Sequence, residues 1–553
     1  MGAGLDPGTA GIATAATEAS TMRHIPLTAL GLILALSAGG ASAQTRDPSA
    51  DTDAAFAPWS SDDTPGCAVA VERDGVTLLT RAYGMANLEH GVRATDQTVF
   101  EAGSVAKQFV AAGIVMLALD GRLSLDDDVR RHVPELPDYG APITLRQMLN
   151  HTSGLRDWGA MVAIEGWPRG QRYMTNARVL DVITRQRALN NVPGAEFIYS
   201  NSNYNLLTIV LERVSGQSLQ AFTEARFFQP LGMGHSRWRD DYAAVVPGRA
   251  TAYGRDGAGR WRADMPLEDA HGNGGLLTTV GDLLIWNRAL DQGRFGPVFM
   301  AEMLRPGVLN DGRAISYGSG LFVSGEPGRR EVSHAGATAG YRAWLGFYPD
   351  QHLSLALLCN AADVNSGAVA LRTVVAFAPE LAPPVLPRVV LPPTGEFVSD
   401  ETGELLAIAA ADGVARTADG RLIIAGEGGR FNLGDEVLVF DGPDRFERTD
   451  AQGRRIRYQR PAAPALDAGM ASSLIGDWRS DEALATARIR AGDQGGLTLQ
   501  FPNGRLQPVT ATRGEALAFP QGEILIDRDA SGAPVALRIT VDRSRGIVFR
   551  RVG

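Results

Sequence analysis

The chain has 553 residues, 44% of them hydrophobic and 21% charged, a globular balance that excludes disordered and fibrous classes. Its 53 basic and 62 acidic residues leave a net charge of −9, which argues against a polyanion such as nucleic acid as partner. With only Cys67 and Cys359, a disulfide-dense scaffold, a four-cysteine zinc site and a cysteine-ligated iron–sulfur cluster are excluded.

The chain opens on an address. Ile25–Ala38 is an apolar stretch of 14 residues behind Arg23 and His24, and it runs out at Ala41-Ser42-Ala43. That pattern predicts a signal peptide over residues 1–43, with Met22 the better start and maturation near Gln44. The stretch is too short to span a bilayer, which takes about 20 apolar residues. A periplasmic or secreted protein is expected, with no stable membrane insertion after signal cleavage.

Next come two β-rich runs, Gly66–Val71 and Val76–Tyr83, around Asp74-Gly75. A DG dipeptide between such runs predicts a hairpin. Apolar residues three and four apart then predict helices over Ser104–Leu119, Leu145–Leu149, Ala177–Leu189, Tyr204–Val214, Leu219–Phe228 and Val280–Leu290. Gly121 is placed to close the first of them. Strand character returns at Tyr341–Tyr348 and Leu353–Leu358. Strands at both ends and helices between predict an α+β domain over 44–378, its sheet uniting both ends of the segment.

Residues 379–393 carry six prolines, a stiff linker. Beyond it, short β-rich runs alternate with Gly and Asp turns and predict small antiparallel barrels or sandwiches. Gly395–Glu401 echoes Gly476–Glu482 at an offset of 81, and Asp450–Gly453 echoes Asp529–Gly532 at an offset of 79. Two related β-modules are therefore expected, 394–460 and 474–553.

Ser104-Val105-Ala106-Lys107 is a Ser-x-x-Lys at a helix start. Residues three apart share a helix face, so the Lys107 amine can reach the Ser104 hydroxyl. A serine hydroxyl needs such a base to attack at neutral pH, and burial turns a lysine into one. Tyr199-Ser200-Asn201 follows in a turn before the next helix, and His334-Ala335-Gly336 comes just ahead of the Tyr341 strand. His151 reads as a structural cap in its loop. The eight histidines show no metal spacing, so no metal or cofactor is expected.

In this order, the three motifs resemble those of the serine β-lactamase and penicillin-binding-protein superfamily, built on Ser-x-x-Lys, Tyr-x-Asn and a Lys-Thr-Gly or His-x-Gly strand. His151–Leu155, Pro230–Met233 and Gly274–Leu276 add to the likeness. A catalytic domain followed by two β-modules is similar to the D-aminopeptidase architecture. The resemblance implies a β-lactamase-like domain with an antiparallel sheet and helices, then two barrel-like modules. It also implies catalytic roles for Ser104 as nucleophile, Lys107 and Tyr199 as base and acid, and His334 in place of the family's lysine. Substrate binding would fall to Asn201, Gly336 and Ala337, the Ala337 and Ser104 amides forming an oxyanion hole. Arg342, expected on the same strand as His334, is a candidate substrate contact, beside the favoured reading of a solvent-facing strand arginine.

His334 is largely neutral near pH 7 where a lysine would be a permanent cation. That favours small peptides, amides or esters over β-lactams. The reading of function is a D-aminopeptidase-like peptidase or amidase. The alternatives are a carboxylesterase, a β-lactamase or D,D-carboxypeptidase, and a penicillin-binding sensor without turnover. A homodimer is a further expectation. In the resembled family a loop of the last module narrows the cleft; the matching turn here, about Phe519–Glu523, is shorter, a departure that bears on specificity rather than on the acyl-enzyme chemistry. The resemblance also makes the strands carrying Cys67 and Cys359 neighbours. Even so, two buried free thiols are the favoured expectation, with a bridge as the alternative.

Overall fold

The computed structural model describes residues 47–383, 390–411, 414–417, 421–450, 453–461, 468–492, 496–513 and 516–552. The predicted signal peptide and the middle of the predicted proline linker lie outside the described residues.

The hairpin forms as its sequence demands. Strand β1 (Cys67–Arg73) and strand β2 (Val76–Tyr83) join through Asp74 and Gly75, at φ +51° and +77°. Two positive φ values in a row make the turn whose twist suits antiparallel strands. Four later strands complete the sheet: β3 (Phe322–Ser324), β4 (Glu331–Thr338), β5 (Tyr341–Tyr348) and β6 (Leu353–Cys359). The order is β3-β4-β5-β6-β1-β2, every pair antiparallel. The sheet thus unites the two ends of the α+β domain.

Both faces of this sheet are covered. Cys67, Val69, Val71, Leu355 and Leu357 pack on α1 (Pro48–Phe56) and on α5 (Ser366–Phe377) through Phe56, Val369 and Val374. The alternate residues Ala68, Ala70, Ala343, Leu345 and Leu358 face the helical half of the domain. There lie α2 (Lys107–Leu119), α3 (Asn201–Ser215) and α4 (Val280–Asp291). Strands buried on both sides read as unbroken apolar runs, as Cys67–Val71 and Leu353–Cys359 do.

Cys67 stands directly opposite Cys359 in the β1–β6 register. The two form a disulfide with Cα atoms 4.0 Å apart, which overturns the expectation of free thiols. Neighbouring antiparallel positions brought the sulfurs together across 292 residues of sequence.

The tail forms two closed barrels of eight antiparallel strands each. The repeats open both in the same way: Gly395–Ser399 buries Phe397 and Gly476–Ser480 buries Trp478. Gly453 N donates to Asp450 O in the first barrel, and Gly532 N to Asp529 O in the second, so the repeated turns close alike.

The second barrel is fastened to the catalytic domain. Arg156 and Glu482 make a buried ion pair at 2.9 Å, and Glu482 also accepts Arg187 N and Val548 N. Replacing only one member of such a pair strands a buried charge. Glu196 binds Arg454 of the first barrel and, at 3.0 Å, Arg545 of the second. Gln186 and Arg187 are drawn off to Glu482, and the helix predicted to reach Leu189 ends at Thr184. Tertiary hydrogen bonds override local propensity there.

Candidate active site

The sequence predicts one α-helix from Ser104. The structure begins α2 at Lys107 and sets Ser104 one turn earlier, in the 3-10 turn Gly103–Ala106. Side chains three apart eclipse in that tighter turn, so Ser104 and Lys107 stand one above the other. Lys107 Nζ lies 3.0 Å from Ser104 Oγ.

Two glycines let strand β4 close on this turn. Gly103 has φ +51°, and a Cβ there would lie 2.5 Å from Ala337 N. A Cβ on Gly336 would lie 2.0 Å from Ala102 O and 3.1 Å from Ser104 N. The Ser104 and Ala337 amides therefore share one corner of the cleft. Preorganised backbone N–H groups of this kind stabilise an oxyanion.

Lys107 is fully buried; its Nζ donates to Asn201 Oδ1 at 3.0 Å and to Asn273 O at 2.6 Å, which leaves the lone pair of the unprotonated amine to face Ser104 Oγ. Burial, reinforced by the charges of Arg169 and Arg543, holds its pKa well below the ordinary lysine value. The charged ammonium is disfavoured there, which suits the amine to act as a base toward the serine. The Tyr199 ring stands beside Lys107, its centre 4.9 Å from Nζ. Burial raises the Tyr199 pKa, against a lowering pull from Ser104 and Arg543.

Asn201 is the first residue of α3, and Asp157 fixes it. One Asp157 oxygen accepts Asn201 N at 2.7 Å and Asn201 Nδ2 at 3.0 Å. The amide is thereby turned so that its oxygen meets Lys107. Burial works against the Asp157 charge, yet Arg543 and the N–H groups of Asn201 and Gly159 hold the carboxyl below its usual pKa. His151, buried in its loop, accepts Ser200 N at 3.3 Å on Nδ1 and stacks 4.2 Å from Tyr199. It thus braces the Tyr199 turn.

His334 lies just ahead of the Tyr341 strand, on a strand of its own, β4, and it is buried. Its Nδ1 must donate to Ala335 O, at 2.6 Å, so Nε2 accepts the Tyr317 hydroxyl at 2.9 Å. Burial and then the Lys107 charge push its pKa down to about 3. The imidazole is neutral across the physiological range.

Arg342 is not brought to this cluster. The turn at Ala339 and Gly340 ends β4, and Arg342 sits on β5 opposite Ala337. Alternation puts it on the other sheet face from His334, where it donates to Ala339 O and Tyr341 O at 2.7 Å. The short turn at Phe519–Glu523 lies elsewhere. Glu523 faces Gly403 of the first barrel. The second barrel instead sends Asp542-Arg543, between the strands Pro534–Val541 and Ser544–Arg551, to the site. Arg543 O accepts Asn190 Nδ2 at 2.9 Å, and its guanidinium lies 5.6 Å from the Tyr199 ring centre.

Residues 46–380 match the Beta-lactamase family. The D-aminopeptidase of Gluconobacter oxydans is 30% identical over 357 residues, 64% of this chain and 66% of that protein. The match falls just short of two thirds of that relative's length. The D-aminopeptidase of Brucella canis is 25% identical over 518 residues, 88% of this chain and 96% of that protein. The octameric penicillin-binding protein homologue from Pyrococcus abyssi shares the fold, with a TM-score of 0.56 at 22% identity over 83% of this chain and 98% of its own. By the span of the family match and the architecture of its catalytic domain, the chain belongs to the Beta-lactamase family.

Proposed function

We propose that this chain is a secreted hydrolase that cleaves amides or short peptides of D-amino acids through an ester on Ser104. The family carries the coarser class, a serine hydrolase. The D-aminopeptidase relatives support the substrate class. One observation carries the mechanism: the buried Lys107 amine, held by Asn201 and Asn273, rests 3.0 Å from Ser104 Oγ.

Neutral Lys107 takes the Ser104 proton as Oγ bonds to the substrate carbonyl carbon. The charge that develops on the carbonyl oxygen meets the Ser104 and Ala337 N–H groups. Removing one such donor costs about 3–4 kcal/mol in the transition state. The C–N bond then breaks, and the leaving amine takes the proton back from Lys107 through Tyr199. Water attacks the Ser104 ester, loses a proton to the same pair, and Ser104 recovers its own as the acid departs.

Neutral His334 leaves no permanent cation at its position on β4, which favours amides and esters over substrates bound by a carboxylate there. Secretion is supported by the apolar stretch Ile25–Ala38 with the Ala41-Ser42-Ala43 pattern behind it and by the disulfide, the chemistry of an oxidising compartment. The test is a substrate panel: D-alanine p-nitroanilide, its L-enantiomer, p-nitrophenyl acetate and nitrocefin. Preference for the D-anilide, lost in Ser104→Ala, supports this reading. Turnover of p-nitrophenyl acetate alone would make the chain a carboxylesterase.

A further inference from the structure

We propose that Arg543, carried into the site by the second barrel, is a positioning residue that braces Asp157 and Tyr199 and supplies a positive field around Lys107 and Ser104. The active site is then shared between two parts of the chain. This rests on the Ser104 hydrolase reading.

The geometry is specific. Arg543 Nη1 lies 3.7 Å from Asp157 Oδ2, the same oxygen that holds both N–H groups of Asn201. Asn201 in turn holds Lys107. The other side of the guanidinium meets Tyr199, 5.6 Å from the ring centre. The backbone is fixed as well: Arg543 O accepts Asn190 Nδ2 at 2.9 Å, and Asn190 Oδ1 accepts Arg545 N at 2.8 Å. Asp542 at φ +42° turns the chain so that the next residue projects into the cleft. The Arg543 side chain remains 34% exposed, so it faces the opening rather than the interior.

The other charges near the site largely cancel. Arg239 pairs with Glu101 at 2.9 Å and approaches Glu268 at 3.5 Å; Glu268 also takes Arg169, at 3.2 Å from its Nε. His151 and His334 are buried and neutral, their pKa values pushed down. Asp542 meets Arg543 Nε at 3.0 Å, on the exposed side. Arg249 also approaches Glu101, at 3.8 Å, and Arg169, though held by Glu268, still acts on Lys107 in the same direction as Arg543; Arg543 is the cation of the set that comes from the second barrel. A cation near two groups that must shed protons favours their deprotonated forms. The direction is the same whether Lys107 or Tyr199 is the working base.

The test compares Arg543→Met, Arg543→Lys and Arg545→Ala with the unaltered chain. The readouts are kcat/KM for p-nitrophenyl acetate from pH 5 to 10, the rate of Ser104 labelling by a fluorophosphonate, and the melting temperature. Arg543→Met is expected to move the acidic limb of both profiles upward by about one pH unit, roughly a 10-fold loss below the limb. Arg543→Lys keeps the charge and is expected to keep the limb. Arg545→Ala removes an interface ion pair of the same barrel without touching the site. It is expected to lower the melting temperature and leave the limb in place. If Arg543→Met does not fold, Arg543→Gln gives the same comparison. An unmoved limb in a folded, uncharged variant overturns the inference, as does an equal movement in Arg545→Ala. A label elsewhere than Ser104 in the unaltered chain overturns the hydrolase reading instead.

Discussion

A single oxygen of Asp157 holds Asn201 by both its backbone and its side-chain N–H, at 2.7 and 3.0 Å. The rotation of the Asn201 amide, and with it the oxygen offered to Lys107, is decided by a carboxylate that itself hydrogen-bonds neither Ser104 nor Lys107. Asp157→Ala is expected to leave kcat reduced by about 10²-fold, the scale of a misplaced catalytic group. Asn201→Asp in the otherwise unaltered chain is expected to lose rate as well, since a side-chain carboxylate cannot donate to Asp157. Steady-state kinetics beside the melting temperature check this. Unchanged kcat in a folded Asp157→Ala would remove Asp157 from the positioning chain.

Gly336 permits the close approach of β4 to the Ser104 turn. Its replacement by alanine would put a methyl 2.0 Å from Ala102 O, an overlap with backbone on both sides. Gly336→Ala is expected to cost about 1–3 kcal/mol in stability and to abolish Ser104 labelling. Denaturant unfolding and fluorophosphonate labelling measure the two effects.

His334 carries a pH signature. Its folded pKa of about 3 lies below the free histidine value of 6.5, so the unfolded chain binds the extra proton between those values. Stability contributed by keeping this histidine neutral is complete above about pH 6.5 and is lost as pH falls toward 3. His334→Gln removes that term, so its stability is expected to fall less steeply with acid between pH 6 and 4. A slope equal to that of the unaltered chain would mean that His334 is protonated when folded. The same neutrality predicts no inflection from His334 in the pH–rate profile between 5 and 8.

The Cys67–Cys359 bridge closes 292 residues, for which the chain-entropy model gives about 6 kcal/mol. Cys67→Ala with Cys359→Ala is expected to lower the melting temperature markedly without altering the catalytic rate, since neither sulfur touches the site. Thiol counting under denaturing conditions should find none in the oxidised protein. Two free thiols would contradict the bridge.

Much of the site was legible because its motifs are local. Ser104 and Lys107 are three residues apart, Tyr199 and Asn201 two, and each pair declares itself within one turn of chain. The hairpin at Asp74-Gly75 and the barrels at 395–459 and 476–551 were legible from turn chemistry and the repeat. Three contributors were not. Asn273 acts through its backbone carbonyl, which no side chain announces. Asp157 acts on Asn201 from another loop, and Arg543 arrives from a different barrel; neither forms a motif in the sequence around it. Arg342 was misplaced because a two-residue turn, unseen in an apparently continuous β run, flips the face of every later residue.

The most direct measurement is mass spectrometry of the protein after reaction with a fluorophosphonate or a slow ester. The account predicts one adduct, on the peptide containing Ser104, and loss of both adduct and turnover in Ser104→Ala. An adduct on another serine, or full activity in the alanine variant, would contradict it.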